Sequence, residues 1–243
     1  MGQVGLARAL SKLGILSRAQ ATDAIRDGRV RVDGHLVRDP LRRVVPERAR
    51  IVVDGRERTR AAWRTIVLHK PRGVVTTRCD PEGRRTVYDV LGAAGDGLVA
   101  VGRLDFASTG LLLLTSDTQF ANWITDPAHA VPRVYLVTVR GDVTPEMAAQ
   151  LPAARVLVRK RSTRESHLTV ELTQGRNREI RRMFDAVGRE VTRLKRVRFG
   201  GIDLGDIEPG AWREVTREDA CRAFPGWTAR SARLARARGR PAI

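Results

Sequence analysis

Two cysteines, Cys79 and Cys221, stand far apart in a chain of 243 residues and form no paired spacing. The four histidines, His35, His69, His129 and His167, are scattered singly, so no zinc or iron–sulfur framework is expected. No glycine loop of the Walker or dinucleotide type is present, which argues against a bound nucleotide. No apolar run approaches the ~20 residues of a membrane span. Met1 to Leu16 is amphipathic and lacks an apolar stretch with a cleavage site, so no secretory leader is expected and the cytoplasm is the expected location. Lysine is scarce too: Lys12, Lys70, Lys160 and Lys195 are the only lysines among 45 basic residues. These absences imply that any enzyme here works without a metal or a nucleotide cofactor.

What is present is positive charge. The formal net charge is +18, with a concentrated stretch from Gly175 to Phe199. Such a field attracts polyanions and speeds their association, with nucleic acid the first candidate and an anionic membrane surface the second. Hydrophobic residues make up 42%, enough for one sizeable core and a small second unit.

Leu6, Ala9, Leu10 and Leu13 lie on one helical stripe, with Gly14 as a stop. Ser17 with Gln20 fits a capping box for a second helix, whose inner face is Ala21, Ala24 and Ile25 and whose end is Gly28. Val30 and Val32 alternate with charges before the hairpin turn Asp33-Gly34, and Ile51 to Val53 reads as another strand. Glu57 to Arg64 reads as a basic linker. Beyond it, strands are expected at Thr65–His69, within Lys70–Thr77, at Leu98–Val101 and at Leu111–Leu114, the last buried on both faces. Asp117 and Thr144-Pro145 mark helix starts. Further strands are expected over 134–139, 156–158, 168–172, 191–197 and 212–215, with a helix from Arg178 to Val187. Strands dominate without regular alternation with helices. The expected class is α+β: a catalytic domain with a mixed, mostly antiparallel sheet and flanking helices, behind a small α+β unit. Expected boundaries are 1–60, 61–222, and a basic flexible tail over 223–243, with fraying after Asp219.

Two stretches carry chemistry. Gly102-Arg-Leu-Asp-Phe-Ala-Ser-Thr-Gly puts Asp105 in a loop between apolar strands, where a carboxylate needs compensation. Taken alone, an Asp after a strand is more often a turn or cap residue. Gly175-Arg-Asn-Arg-Glu-Ile-Arg-Arg opens a helix rich in guanidinium groups. Arg178 and Arg181 are three apart and can share a face, either to hold phosphates or to pair with a buried carboxylate.

Residues 4 to 55 resemble an S-four-type RNA-binding domain, most specifically at Ser17-Arg18 and Gly28-Arg-Val-Arg-Val-Asp-Gly. That resemblance implies RNA contacts at Arg18, Arg26, Arg29 and Arg31. From Val67 to about Val215 the chain resembles ribosomal RNA pseudouridine synthases of the Rsu and Rlu type. The blocks are His69-Lys-Pro-Arg-Gly, Gly102-Arg-Leu-Asp, Gly110-Leu-Leu-Leu-Leu-Thr, Pro132-Arg-Val-Tyr-Leu-Val and Gly175-Arg-Asn-Arg-Glu-Ile-Arg-Arg-Met-Phe, continued by Arg193-Leu-Lys-Arg-Val-Arg. The resemblance implies that Asp105 is the catalytic carboxylate, that Tyr135 stacks on the target uracil, and that Arg181 pairs with the Asp, with Arg178 one turn away. Arg103, Arg176, Arg178 and Lys195 join the expected RNA contacts. The chain departs from the family at Ala107 and Ser108, and at Thr115-Ser116-Asp117-Thr118. The implied partner is ribosomal RNA, bound by a monomer. The basic tail favours the large subunit, with the small subunit the alternative. A non-catalytic ribosome-assembly protein would share the charge and the N-terminal unit, but gives no reason for Asp105, Tyr135 and Arg181 to occur together.

Overall fold

The computed structural model describes residues 3–16, 18–46, 48–57, 62–153 and 155–227. The cap expected at Ser17 and the tail over 228–243 lie outside the described residues.

The N-terminal unit runs β1 (Val4–Gly5), α1 (Leu6–Lys12), α2 (Arg18–Arg26), β2 (Val30–Val32), β3 (His35–Leu36), β4 (Arg43–Val44), β5 (Ile51–Val53) and β6 (Arg56–Glu57). Leu6, Leu10, Ala21, Ile25, Val30 and Ile51 close a core of its own. Asp33 and Gly34 both take positive φ, 52° and 85°, which matches the twist of a two-residue hairpin. Asp54-Gly55 repeats that turn between β5 and β6. Glu57 therefore still belongs to a strand rather than to the linker expected from its polarity.

The larger unit contains β7 (Thr65–Lys70), α3 (Val87–Leu91), β8 (Val99–Ala100), β9 (Thr109–Thr115), α4 (Thr118–Thr125), β10 (Arg133–Arg140), α5 (Pro145–Ala149), β11 (Arg155–Arg161), β12 (Glu165–Leu172), α6 (Glu179–Ala186), β13 (Val191–Phe199), β14 (Ile202–Asp203), β15 (Trp212–Val215) and α7 (Arg217–Ala223). One sheet takes the order β11-β12-β10-β13-β9-β7-β15, with β14 on β13 and β8 on β9. Its pairs are antiparallel except β13 with β9. The mixed, mostly antiparallel α+β expectation therefore holds.

β9 sits in the middle because both its faces are apolar. Leu112 and Leu114 pack towards α3 and α6, while Leu111 and Leu113 pack towards α4 and α7. The caps at Asp117 and Thr144 form as the sequence implies: Asp117 accepts from the Gln119 and Phe120 amides, and Thr144 from Met147 N.

Three expectations need correction. The second strand expected within Lys70–Thr77 is a turn with a single bridge, Val75 to Thr86, because its polar groups serve the neighbouring loop instead of a strand ladder. Among the described residues the chain stays ordered past Asp219. α7 runs to Ala223, and Phe224, 3% exposed, packs edge-on against Phe120 and Phe199. Trp227 reaches the same cluster, so order passes the boundary expected at 222. The helix expected from Arg178 begins at Glu179, with Arg178 as its cap in the left-handed region at φ 50°.

Candidate active site

Asp105 lies in the loop between β8 and β9, and the segment after β7 holds that loop in place. Lys70 Nζ donates to Ser108 O at 2.8 Å. Gly73 N donates to Phe106 O at 2.9 Å, and Thr76 Oγ1 to Leu104 O at 2.9 Å. Ser108 N closes the loop onto Asp105 O at 3.0 Å. The block His69-Lys-Pro-Arg-Gly is thus a clamp on the Asp loop. The sequence shows it as a turn and a family block but gives Lys70 no role, since a lysine is ordinarily expected at the surface.

Lys70 has no exposed surface. Burial lowers its ammonium from the ordinary 10.5 to about 8, and the Asp105 charge works in the opposite direction. The Asp105 carboxylate itself is half-buried and makes no hydrogen bond or ion pair with the described residues.

Gly110 brings the second wall close. At β9's start, Thr109 and Gly110 pair in parallel with Lys195 and Arg196 of β13. Gly110 has φ 107°, and a Cβ there would run into the Arg196 backbone, 2.6 Å from its nitrogen. Only glycine permits that approach. Across β13, Arg196 stands directly opposite Tyr135 of β10, so the two side chains share a face.

Asp105 and Tyr135 meet in one cavity of about 640 Å³. Its carboxylates are Asp105 and Glu179, and its cations are Arg103, Arg133, Arg176, Arg178 and Arg196. The volume suits a single flipped nucleotide. The cations fall into two layers. Arg103, Arg176 and Arg178 are exposed at the mouth, whereas Arg133 and Arg196 are 5% and 3% exposed at the floor. Burial depresses the Arg133 guanidinium below its usual range. Among the described residues no group of three or more His, Cys, Asp or Glu side chains converges as a metal site, and no helix is long and apolar enough to cross a membrane.

The structure separates the expected site residues. Asp105, Tyr135, Arg103, Arg176 and Arg178 come together. Arg181 does not line the cavity. Its Nη1 is taken by Val191 O at 2.7 Å, and the direct ion pair with Asp105 does not form. Burial and the nearby Arg178 lower its pKa, while the Asp105 charge raises it, so Arg181 acts on Asp105 through space. Lys195 pairs with Leu136 and therefore faces away from Tyr135 and the cavity. Arg18, Arg26, Arg29 and Arg31 are all exposed on the N-terminal unit, where Arg29 meets Asp54 at 3.2 Å and Asp27 at 3.5 Å.

Comparison with known proteins places this geometry. Residues 64–186 match the family model "RNA pseudouridylate synthase", and residues 4–48 match the S4 domain. An RNA pseudouridine synthase of Aquifex aeolicus is 32% identical over 92% of this chain and 95% of its own length. A protein of Bacillus subtilis named ribosomal large subunit pseudouridine synthase B is 32% identical over 89% of this chain and 94% of its own. The protein of that name from Escherichia coli strain K12 is 38% identical over 86% and 78%. A crystal structure of a pseudouridylate synthase superposes with a TM-score of 0.61 at 28% identity, covering 90% of this chain and 99% of that one.

Proposed function

Because the chain belongs to the RNA pseudouridylate synthase family, we propose that it converts uridine to pseudouridine in large-subunit ribosomal RNA, with Asp105 as the acting carboxylate. The observation that carries this reading is the single cavity in which Asp105, Tyr135 and a double layer of arginines meet. The large-subunit target follows the names of the relatives from Bacillus subtilis and Escherichia coli.

The reaction breaks the bond between ribose C1′ and uracil N1, turns the base, and joins C1′ to C5. The proton lost from C5 is balanced by one gained at N1. Nothing is oxidised and no group is added, so an ionised carboxylate and a positioned base suffice. Asp105 serves by attacking the ribose, attacking the base or taking a proton from the sugar; each task needs its free, charged oxygen. Because the target cannot reach a cavity while stacked in RNA, it flips out, and Tyr135 receives the uracil on its ring. In this reading the Tyr135 hydroxyl carries the C5 proton. Arg181, half withdrawn behind the wall, keeps positive potential on the carboxylate.

At the mouth, Arg103, Arg176 and Arg178 take the flanking phosphates. Residues 1–60, with Arg18, Arg26, Arg29 and Arg31, grip RNA further out, while residues from 61 onward do the chemistry. We place the protein in the cytoplasm as a monomer, which sedimentation at working concentration tests. The decisive experiment maps pseudouridine across both ribosomal RNAs in cells with and without the protein. One large-subunit position should lose the modification, regain it with the wild-type chain and stay unmodified with Asp105→Asn. Loss at a small-subunit position would reassign the target, and an unchanged map would remove the activity.

A further inference from the structure

Four buried side-chain atoms lack a hydrogen-bond partner among the described residues: Ser108 Oγ, Asp142 Oδ1, Arg181 Nε and Arg196 Nη2. All but Asp142 belong to the neighbourhood of Asp105, so unfilled hydrogen-bonding capacity is concentrated there. Buried polar groups are ordinarily satisfied, and an orphan at a functional site asks for a reason. Arg196 poses the question most sharply, because it is a charged donor, it lines the cavity and it is 3% exposed.

Arg133 is the control within the same floor. Both guanidiniums lie 4.9 Å from the Phe199 ring centroid. Arg133 donates through Nη1 to Val131 O and Thr173 O and through Nη2 to Ile124 O, so both its terminal nitrogens are tied to the backbone. Arg196 donates through Nε to Leu111 O at 2.7 Å, which anchors the group, but Nη2 is left without an acceptor. Leaving such a donor unfilled costs its whole desolvation, an expense that persists only where something else supplies the acceptor.

We propose that Arg196 reads the edge of the target base, Nη2 donating to a carbonyl oxygen of the uracil that lies on Tyr135. This rests on the reading of the cavity as the uridine site. Depth selects the base over the phosphate: the exposed arginines at the mouth meet the backbone, and the flipped base enters first and reaches the floor. Register selects the edge: Arg196 is directly opposite Tyr135 on the same face, so a ring stacked on the tyrosine presents its rim to the guanidinium. Uracil offers acceptors at O2 and O4 and no exocyclic amine. Cytosine would set its amine against the same donor if O4 is the oxygen read. Sequence inspection favoured Lys195 in this strand, one residue away and on the other face.

The test uses the full chain and a short RNA carrying the mapped uridine, compared with the same RNA bearing 2-thiouridine or 4-thiouridine there, since sulfur is a poor acceptor. With wild type, one thio substitution should slow the single-turnover rate about tenfold or more. Arg196→Met should be slowed on uridine by a similar factor and be indifferent to that thio substitution, because the two changes remove one contact. Arg196→Lys, which keeps charge and most of the stem, should recover part of the rate. A wild-type enzyme indifferent to both thio substitutions overturns the assignment. So does an Arg196→Met enzyme that keeps the wild-type thio penalty. If melting shows that Arg196→Met is unfolded, the wild-type thio pair and Arg196→Lys decide the matter. Failure of wild type to make pseudouridine from the uridine RNA would count against the proposed function instead.

Discussion

In the N-terminal unit Arg18, Arg26, Arg29 and Arg31 stand in water, and Arg29 already has Asp27 and Asp54 as neighbours. On the cavity floor Arg133 and Arg196 have almost no exposure and no carboxylate partner among the described residues. Exposed ion pairs are screened and contribute about 0–1 kcal/mol, so they exchange for RNA phosphates at little cost and respond to salt. Buried guanidiniums are shielded from salt and accept only an acceptor of the right shape. The same residue type therefore supplies affinity in one region and selectivity in the other.

Asp105→Asn should break the comparison most completely. It keeps the shape of the site and removes the charge on which chemistry depends. Single-turnover isomerisation should fall on the order of a thousandfold or more, with RNA affinity nearly unchanged. An active Asn variant would remove Asp105 from its role.

The glycines sharpen the contrast in stability. Gly110→Ala drives a Cβ into the Arg196 backbone at a φ of 107° and should cost about 3 kcal/mol or more. That corresponds to a drop of roughly 6–12 °C in Tm for a protein of this size. At Gly34 the φ is also positive, but a Cβ meets nothing within 4 Å, so Gly34→Ala should cost about 1–2 kcal/mol. Equal losses in differential scanning calorimetry would deny the close approach its importance.

Deleting residues 1–60 should weaken RNA binding by roughly ten- to a hundredfold at low salt and flatten its salt dependence, while the saturated rate stays within about threefold. A core of its own lets that unit leave without dismantling the other. An unchanged salt slope would show that the exposed arginines do not touch RNA.

The smallest expected effect is on pH dependence. Lys70, held near 8 in the folded protein against an ordinary 10.5, loses its proton earlier than it would in the unfolded chain. Between about pH 8 and 10.5 the unfolded state binds more protons, so this group makes stability rise with pH across that window. The rate should move the other way, falling a few-fold above pH 8 as the cation beside Asp105 disappears. Lys70→Met should be slower throughout and lack that alkaline limb. A limb that survives the substitution would assign it elsewhere.

How far the sequence reveals this arrangement depends on the range of the interactions. Local chemistry is legible: the Asp33-Gly34 turn, the caps at Asp117 and Thr144, and the doubly buried β9 follow from neighbours in the chain. The Asp105 and Tyr135 motifs are legible because their blocks are specific. The choice between Lys195 and Arg196 is not, since it depends on the pairing register of β13, where one residue flips the face. A bulge beside Tyr135 shifts that register further along. Lys70 was hidden for a related reason: its burial is imposed by the Asp loop, 38 residues away at Ser108. Arg181 makes no ion pair with Asp105 and instead donates to Val191 O, ten residues on, a contact set by the packing of its helix against β13.

The parallel contact between β9 and β13 also sets an order of events during synthesis. Every other ladder of the sheet is antiparallel, but this one joins Thr109 to Lys195, and Arg196 reaches Leu111 across 85 residues. Long-range closure of that kind is slow and comes late in folding. A nascent chain that has already exposed Asp105, Arg133 and Tyr135 still lacks Arg196 and the strand that carries it. The wall that turns those residues into a site arrives only when β13 (Val191–Phe199) has cleared the ribosome, so chemistry is withheld until that strand has docked.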